Sequence, residues 1–147
     1  MGLVVEQLAS PTPEDRAAII RLEAESFSNP WTADTFDRML AVPVSRVYVV
    51  RTDGAGIVGF CACWLINDEL HINTIAVSEQ LRGRGIGSRL MADVLAKTGV
   101  HRATLEVRRS NEAALRLYEK FGFKVTAVRH KYYENPEEDG LILWMNP

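Results

Sequence analysis

Three glycines at alternate positions, in Arg82-Gly83-Arg84-Gly85-Ile86-Gly87-Ser88-Arg89, stand between a run of strand character and one of helical character. This segment restricts the fold more than any other, because a strand, a tight loop and a helix must follow one another there without a linker. Ahead of it His71 to Val77 reads as a strand, and behind it Ile86, Leu90, Met91, Val94 and Leu95 recur at helical spacing to Thr98, where Gly99 is a helix stop. The backbone N–H groups of such a loop converge at the positive end of a helix dipole, where an anion is stabilised. Arg82, Arg84 and Arg89 add charge there and Ser88 a hydroxyl donor; the other reading is a flexible surface turn with solvated arginines. Two common phosphate loops do not fit. A Walker loop needs a lysine after its last glycine, but Ser88 follows Gly87. The dinucleotide fingerprint needs G-x-G-x-x-G at the start of a βαβ unit, whereas Gly83, Gly85 and Gly87 are spaced by two, late in a series of strands.

The remaining elements are read outward from this loop. Leu3 to Leu8 is a first strand, and Thr12 caps a helix that opens with Pro13 and carries Ile19 and Leu22 on its apolar stripe. Asn29-Pro30 breaks the chain, Trp31 is exposed on the connecting loop, and Thr32 caps a second helix with Phe36, Met39 and Leu40. Val44 to Thr52 and Ile57 to Ile66 form a hairpin around Asp53-Gly54-Ala55-Gly56. Beyond the glycine loop and its helix, Arg102 to Val107 is a strand, Ser110 an N-cap candidate and Ala113 to Phe121 a helix closed by Gly122. Phe123 to Val128 and Leu141 to Trp144 are the last strands, separated by the acidic turn Asn135-Pro136-Glu137-Glu138-Asp139-Gly140. Strands first, then helix and strand in alternation, imply an α/β fold: a mixed central β-sheet with helices on both faces.

A chain of 147 residues is long enough for one sizeable core, so residues 1–147 are read as a single domain. Hydrophobic residues at 47% and charged residues at 24% exclude a disordered chain, and a net charge of -2 gives no reason to expect nucleic acid or an anionic membrane as a partner. No apolar run reaches the ~20 residues that span a bilayer, and a secretory leader is not evident, so a cytoplasmic protein is expected. Cys61 and Cys63 share one face of a strand as buried thiols. With His71, His101 and His130 scattered along the chain, no metal site is expected.

Arg82-x-x-Gly85-x-Gly87 resembles the acetyl-CoA-binding signature of the GNAT superfamily of N-acetyltransferases. Leu105-Glu106-Val107-Arg108, Ser110-Asn111, Ala114, Tyr118 and Gly122-Phe123 reproduce the downstream part of that pattern in order. Asn29-Pro30-Trp31 and Tyr132-Tyr133 further resemble the branch that acetylates the N-terminal alanine of a ribosomal protein. The resemblance covers nearly the whole chain and implies a GNAT-like fold with acetyl-CoA as cosubstrate. It implies that Arg82, Gly83, Arg84, Gly85, Ile86, Gly87 and Ser88 wrap the cofactor's pyrophosphate, and that Ile75, Ala76 and Val77 supply a backbone donor to the thioester carbonyl.

Acyl transfer from a thioester to an amine, by direct attack through a tetrahedral intermediate, needs a neutral amine, an oxyanion donor and a proton for the leaving thiolate. On the strand after the helix, Leu105 and Val107 face one way and Glu106 and Arg108 the other. Glu106 is then a partly buried acid able to take the amine's proton through a water, or else a solvated charge or a partner for Arg108; the resemblance favours the catalytic role. Ala114, Tyr118 and Phe121 share one helical stripe, so the Tyr118 ring points inward. By composition it is a core tyrosine; by resemblance it donates the proton to the thiolate. Asn111 either caps that helix or binds the pantetheine arm, and both uses can coexist.

Trp31, Tyr132, Tyr133 and Glu134 are the candidates for the acceptor side: aromatic walls hold an extended peptide, and Glu134, Glu137, Glu138 and Asp139 attract a basic one. Solvated surface and a core-packed Trp31 are the alternatives. Three functions follow. The resemblance favours transfer to a protein N-terminal peptide, with a ribosomal protein as partner; the others are a small-amine or lysine acetyltransferase and a non-catalytic coenzyme A-binding module.

Overall fold

The computed structural model describes residues 2–54 and 56–146. Seven strands form one sheet in the order β1-β2-β3-β4-β5-β7-β6, with all neighbours antiparallel except the parallel pair β4 and β5. The strands are β1 (Leu3–Gln7), β2 (Ser45–Thr52), β3 (Gly56–Ile66), β4 (Glu69–Val77), β5 (Arg102–Arg108), β6 (Phe123–Tyr133) and β7 (Glu138–Met145). The helices are α1 (Pro13–Ser26), α2 (Ala33–Leu40), α3 (Ile86–Thr98) and α4 (Glu112–Lys120).

Helices cover both faces, as the order of elements predicts. On one face Ile86, Leu90, Met91 and Val94 of α3 and Tyr118 of α4 pack against Cys61, Cys63, Leu105, Val107 and Leu143. On the other, Ile19 and Leu22 of α1 and Phe36 of α2 pack against Val47, Val49, Phe60, Ala62 and Ala76. Strands buried on both sides need apolar residues at successive positions, which is why β2 reads Val47-Tyr48-Val49-Val50. No helix among the described residues is long and apolar enough to cross a membrane.

The feature that makes a site is an interruption in β4. Its register against β3 skips a residue between Ile72, opposite Cys63, and Thr74, opposite Ala62, so Asn73 is a bulge. One extra residue inverts the alternation of side chains. Leu70 and Ile72 lie on the α3/α4 face, and beyond the bulge Ile75 and Val77 continue that face while Ala76 joins the α1/α2 cluster. At the same point the parallel ladder ends. Its last pair is Ile72 with Leu105, although β4 continues to Val77 and β5 to Arg108. The two strands part, and the middle of the sheet is open at the end where the glycine loop begins.

Local signals placed most elements within a residue or two. Thr12 forms a capping box with Asp15, Thr32 caps α2, and Gly99 closes α3 in the left-handed conformation at φ 66°. Three expectations are corrected. Asn111 caps α4, accepting from the Ala114 N–H at 3.2 Å, whereas Ser110 donates its hydroxyl and amide to Glu138. The helix accordingly runs Glu112–Lys120 and ends before Phe121. β6 extends to Tyr133 and β7 starts at Glu138, so the acidic turn is shorter than its composition suggests. Glu138 and Asp139 have partners inside the protein, which draws them into the sheet.

Leu90 is fully buried where α3 meets the sheet. Leu90→Ala is expected to destabilise the fold by about 2–5 kcal/mol through lost burial and a residual cavity, read as a lower urea midpoint at unchanged slope.

Candidate active site

The mouth of the opening between β4 and β5 is framed by five segments. On the α3/α4 side are the glycine loop and Tyr118; on the α1/α2 side are the loop between α1 and α2, Glu106 with Arg108 on β5, and the β6–β7 turn.

The glycine loop differs from the starts of the other three α-helices among the described residues. Thr12, Thr32 and Asn111 cap α1, α2 and α4 through side-chain oxygens, but Gly85, the N-cap of α3, has no side chain to do so. Arg89 is the first residue whose N–H closes a helical bond, onto the Gly85 carbonyl at 3.0 Å, so the N–H groups of Ile86, Gly87 and Ser88 are left without helical acceptors. Gly83 and Gly85 adopt φ of 79° and 80°, a left-handed turn that side-chain-bearing residues rarely enter. Gly87 lies in the first turn of α3, where a Cβ would meet Leu117 of α4 at ordinary contact distance, 3.4 Å. The arginines are distributed unevenly. Arg82 donates from Nε to the Val77 carbonyl at 3.2 Å and from Nη2 to Ser26 Oγ at 2.9 Å, and Arg89 pairs with Asp93 along the helix. Arg84 is exposed at the tip of the loop.

Tyr118 and Glu106 lie on opposite faces of the sheet. The Tyr118 side chain, 6% exposed, packs against Phe123 on the α3/α4 face, and burial pushes its phenol well above the ordinary tyrosine range, with smaller contributions from Cys61 and Tyr133. Glu106 points the other way, and 32% of its side chain is accessible. Its cationic neighbour is Arg129, at 3.6 Å, rather than Arg108. Tyr133 bridges the two settings. Burial first, and then the Glu106 carboxylate and Tyr132, push its phenol up to about 12. The structure therefore gathers Glu106, Tyr118, Tyr132 and Tyr133 at the opening.

Trp31 is half-buried rather than exposed. It packs on the α1/α2 core, lining a small crevice with Ile19, Phe36 and Phe60. Of the acidic residues of the turn, Glu138 is held by Arg108 and Ser110, and Asp139 by Arg109, His130 and the Lys131 amide. The side chains of Glu134 and Glu137 are the exposed ones. Composition suggested an acidic patch, but half of it is internal wiring.

Sequence reasoning missed the residues that brace this frame. Arg108 donates to the carbonyls of Glu134 and Pro136 and to Glu138, with its guanidinium 4.6 Å from the centre of the Tyr133 ring. Asn29 donates to the Glu134 carbonyl at 2.7 Å and accepts from Asn135, tying the α1–α2 loop to the β6–β7 turn. Glu23, 4% exposed, accepts from Thr74 Oγ1 at 2.7 Å and from the Trp31 N–H at 3.0 Å. One signal was legible: Glu23 follows Ile19 and Leu22 at helical spacing, a carboxylate on an apolar stripe.

All four tyrosines share one electrostatic consequence. Burial raises the phenols of Tyr48, Tyr118, Tyr132 and Tyr133. The folded protein keeps protons that the unfolded chain releases near pH ~10, so their contribution to stability is full below that pH and is lost as pH rises through the folded values. A tyrosinate absorbance titration of the native protein is expected to show well under half ionisation at pH ~10, where free tyrosine is half-ionised.

Comparison with known proteins agrees with this geometry. Residues 16–123 match the family described as Acetyltransferase (GNAT) family. The N-alpha-acetyltransferase RimI of Mycobacterium tuberculosis is 37% identical over 140 residues, covering 90% of this chain and 87% of the relative. The crystal structure of the ribosomal-protein-S18-alanine N-acetyltransferase from Escherichia coli superposes with a TM-score of 0.86 at 26% identity, over 98% of this chain and 93% of that one. A chain of the NatC complex bound to Gag peptide and CoA gives a TM-score of 0.84 at 25% identity, over 99% and 98% of the two chains. Agreement on this scale extends far beyond one loop motif: the chain belongs to the GNAT family of acetyltransferases, and acetyl-CoA is its acyl donor.

Proposed function

We propose that this protein transfers the acetyl group of acetyl-CoA to the N-terminal α-amine of a protein, with the N-terminal alanine of a small-subunit ribosomal protein as its acceptor. The observation that carries this reading is a sheet opening with an uncapped helix N-terminus on one face and a carboxylate on the other. The names of the Mycobacterium tuberculosis and Escherichia coli relatives support the α-amine and the ribosomal acceptor.

In this reading the free N–H groups of Ile86, Gly87 and Ser88, within the turn from Arg82 to Gly85, hold the donor's diphosphate. Only Arg84 brings a guanidinium not engaged elsewhere in the loop, so the backbone supplies most of the attraction. Ile75, Ala76 and Val77 line the free length of β4 and offer a backbone N–H to the thioester oxygen, a fixed dipole that stabilises charge as it develops there. The amide group of Asn111 not used in the cap binds the pantetheine arm. Glu106 takes the amine's proton through a water, helped by its accessibility, and Tyr118, held protonated by burial, donates to the departing thiolate. Trp31, Tyr132, Tyr133 and Glu134 border the acceptor on the α1/α2 side.

The direct test offers acetyl-CoA with an Ala-starting peptide, an N-blocked lysine peptide and a polyamine, and locates the acetyl group by mass spectrometry. Acetylation of the α-amine is expected; transfer to lysine or polyamine alone would overturn the reading. Tyr118→Phe is expected to retain acetyl-CoA binding and lose about 10²–10⁴-fold in kcat, the usual value of a general acid. Glu106→Gln is expected to lose most kcat/KM below pH ~8, where an α-amine arrives protonated, and to recover part of it at higher pH. Superimposable pH profiles would remove Glu106 from the mechanism.

A further inference from the structure

Glu23 is a buried carboxylate that the chemistry above does not use. No cation pairs with it among the described residues, and burial pushes its pKa up, against the pull of its two hydrogen bonds. A carboxylate in such surroundings is costly unless its acceptor sites are filled. Its two donors lie on different sides of the opening's frame: Thr74 is the first residue of β4 past the bulge, next to Ile75, and Trp31 is on the α1–α2 loop. The same loop is anchored at its other end through Asn29 to Glu134 and Asn135. The loop therefore straps the α1/α2 side of the opening, from the free length of β4 to the β6–β7 turn.

We propose that Glu23 is a positioning residue for the acceptor: it fixes the Trp31 loop to the length of β4 that has parted from β5, and so sets the width of the acceptor slot without touching the acceptor. This rests on the reading that the acceptor binds beside Trp31. Of the slot's two walls, β4 parts from β5 beyond Ile72 and from there is held within the sheet by β3 alone, so a bond from the α1/α2 side adds a second restraint on it. Thr74 is buried there, and the Glu23 carboxylate is its side-chain partner. A hydrogen-bonded clamp between a strand and a loop transmits position at a distance from the chemistry, where small misplacements are felt strongly.

Thr74→Val, Glu23→Ala, Glu23→Gln and Trp31→Ala are compared with wild type in steady-state assays that vary an Ala-starting peptide and acetyl-CoA in turn. Thr74→Val and Glu23→Ala are expected to raise the peptide KM by roughly tenfold or more while the acetyl-CoA KM stays within about twofold. Glu23→Gln is expected to stay near wild type, because its amide oxygen still accepts from the Trp31 N–H and its NH₂ donates to the Thr74 oxygen. Faster amide exchange at Trp31 in Thr74→Val and Glu23→Ala is the accompanying structural readout. If Glu23→Ala does not fold, Thr74→Val and Glu23→Gln carry the test, since neither leaves a cavity in the core. Should Trp31→Ala raise the peptide KM while folded Thr74→Val leaves it unchanged, the clamp is overturned and the acceptor placement stands. An unchanged peptide KM in Trp31→Ala would instead remove the acceptor from this loop, and the proposal with it. Glu23→Gln as impaired as Glu23→Ala would show that the charge itself is needed, which also overturns positioning.

Discussion

Two parallel strands that share a ladder for four residues and then separate leave backbone N–H and C=O groups facing a gap, and the rest of this structure is arranged around them. Such groups are tolerated inside a protein only if side chains, solvent or a ligand satisfy them. Arg82 covers the Val77 carbonyl at the far end of β4, and Glu23 secures Thr74 near the point of parting. On the opposite bank Arg108 ties the end of β5 to the β6–β7 turn, and Asn29 bridges that turn to the α1–α2 loop. The opening persists because its rims are bound to one another by side chains. What remains between the rims is a polar-edged slot of the kind an extended ligand arm can pair with.

The charges around the slot follow the same logic. Four acidic residues, Glu134, Glu137, Glu138 and Asp139, read in sequence as a lure for a basic peptide, yet Glu138 and Asp139 are spent on Arg108, Arg109, His130 and Ser110. The two arginines nearest the aromatic pair stack on it, Arg108 over Tyr133 at 4.6 Å and Arg129 over Tyr132 at 5.0 Å. In the proposed reading the acceptor therefore meets tyrosine rings, carbonyls and the Glu106 and Glu134 carboxylates, with Arg129 beside Glu106. Recognition in that reading depends on shape and hydrogen bonding more than on bulk charge.

Much of this was legible in the chain. The glycine loop, the caps at Thr12 and Thr32, the stop at Gly99 and the double-sided burial of β2 all follow from local chemistry, because each depends on residues within a few positions of one another. Features set by distant partners were not. Asn111 displaces Ser110 as the cap because Ser110 is drawn to Glu138, a partner 28 residues away, and Trp31 is partly buried because its amide meets Glu23. The phase change in β4 was invisible for another reason. Asn73 and Thr74 are polar, but Ile75, Ala76 and Val77 are apolar in succession and both faces of the strand are covered, so the residues past the bulge read as strand whichever way they point.

That single extra residue also decides which changes the lineage of this chain can survive. A substitution in β4 alters one contact, but a gain or loss of one residue reverses the assignment of every position beyond it, sending Ile75 and Val77 toward α1 and Thr74 toward α3. The number of residues along β4 is thus a tighter constraint than the identity of most of them: an exchange of side chain is a local event, whereas a single insertion or deletion rewrites both faces of the sheet at once.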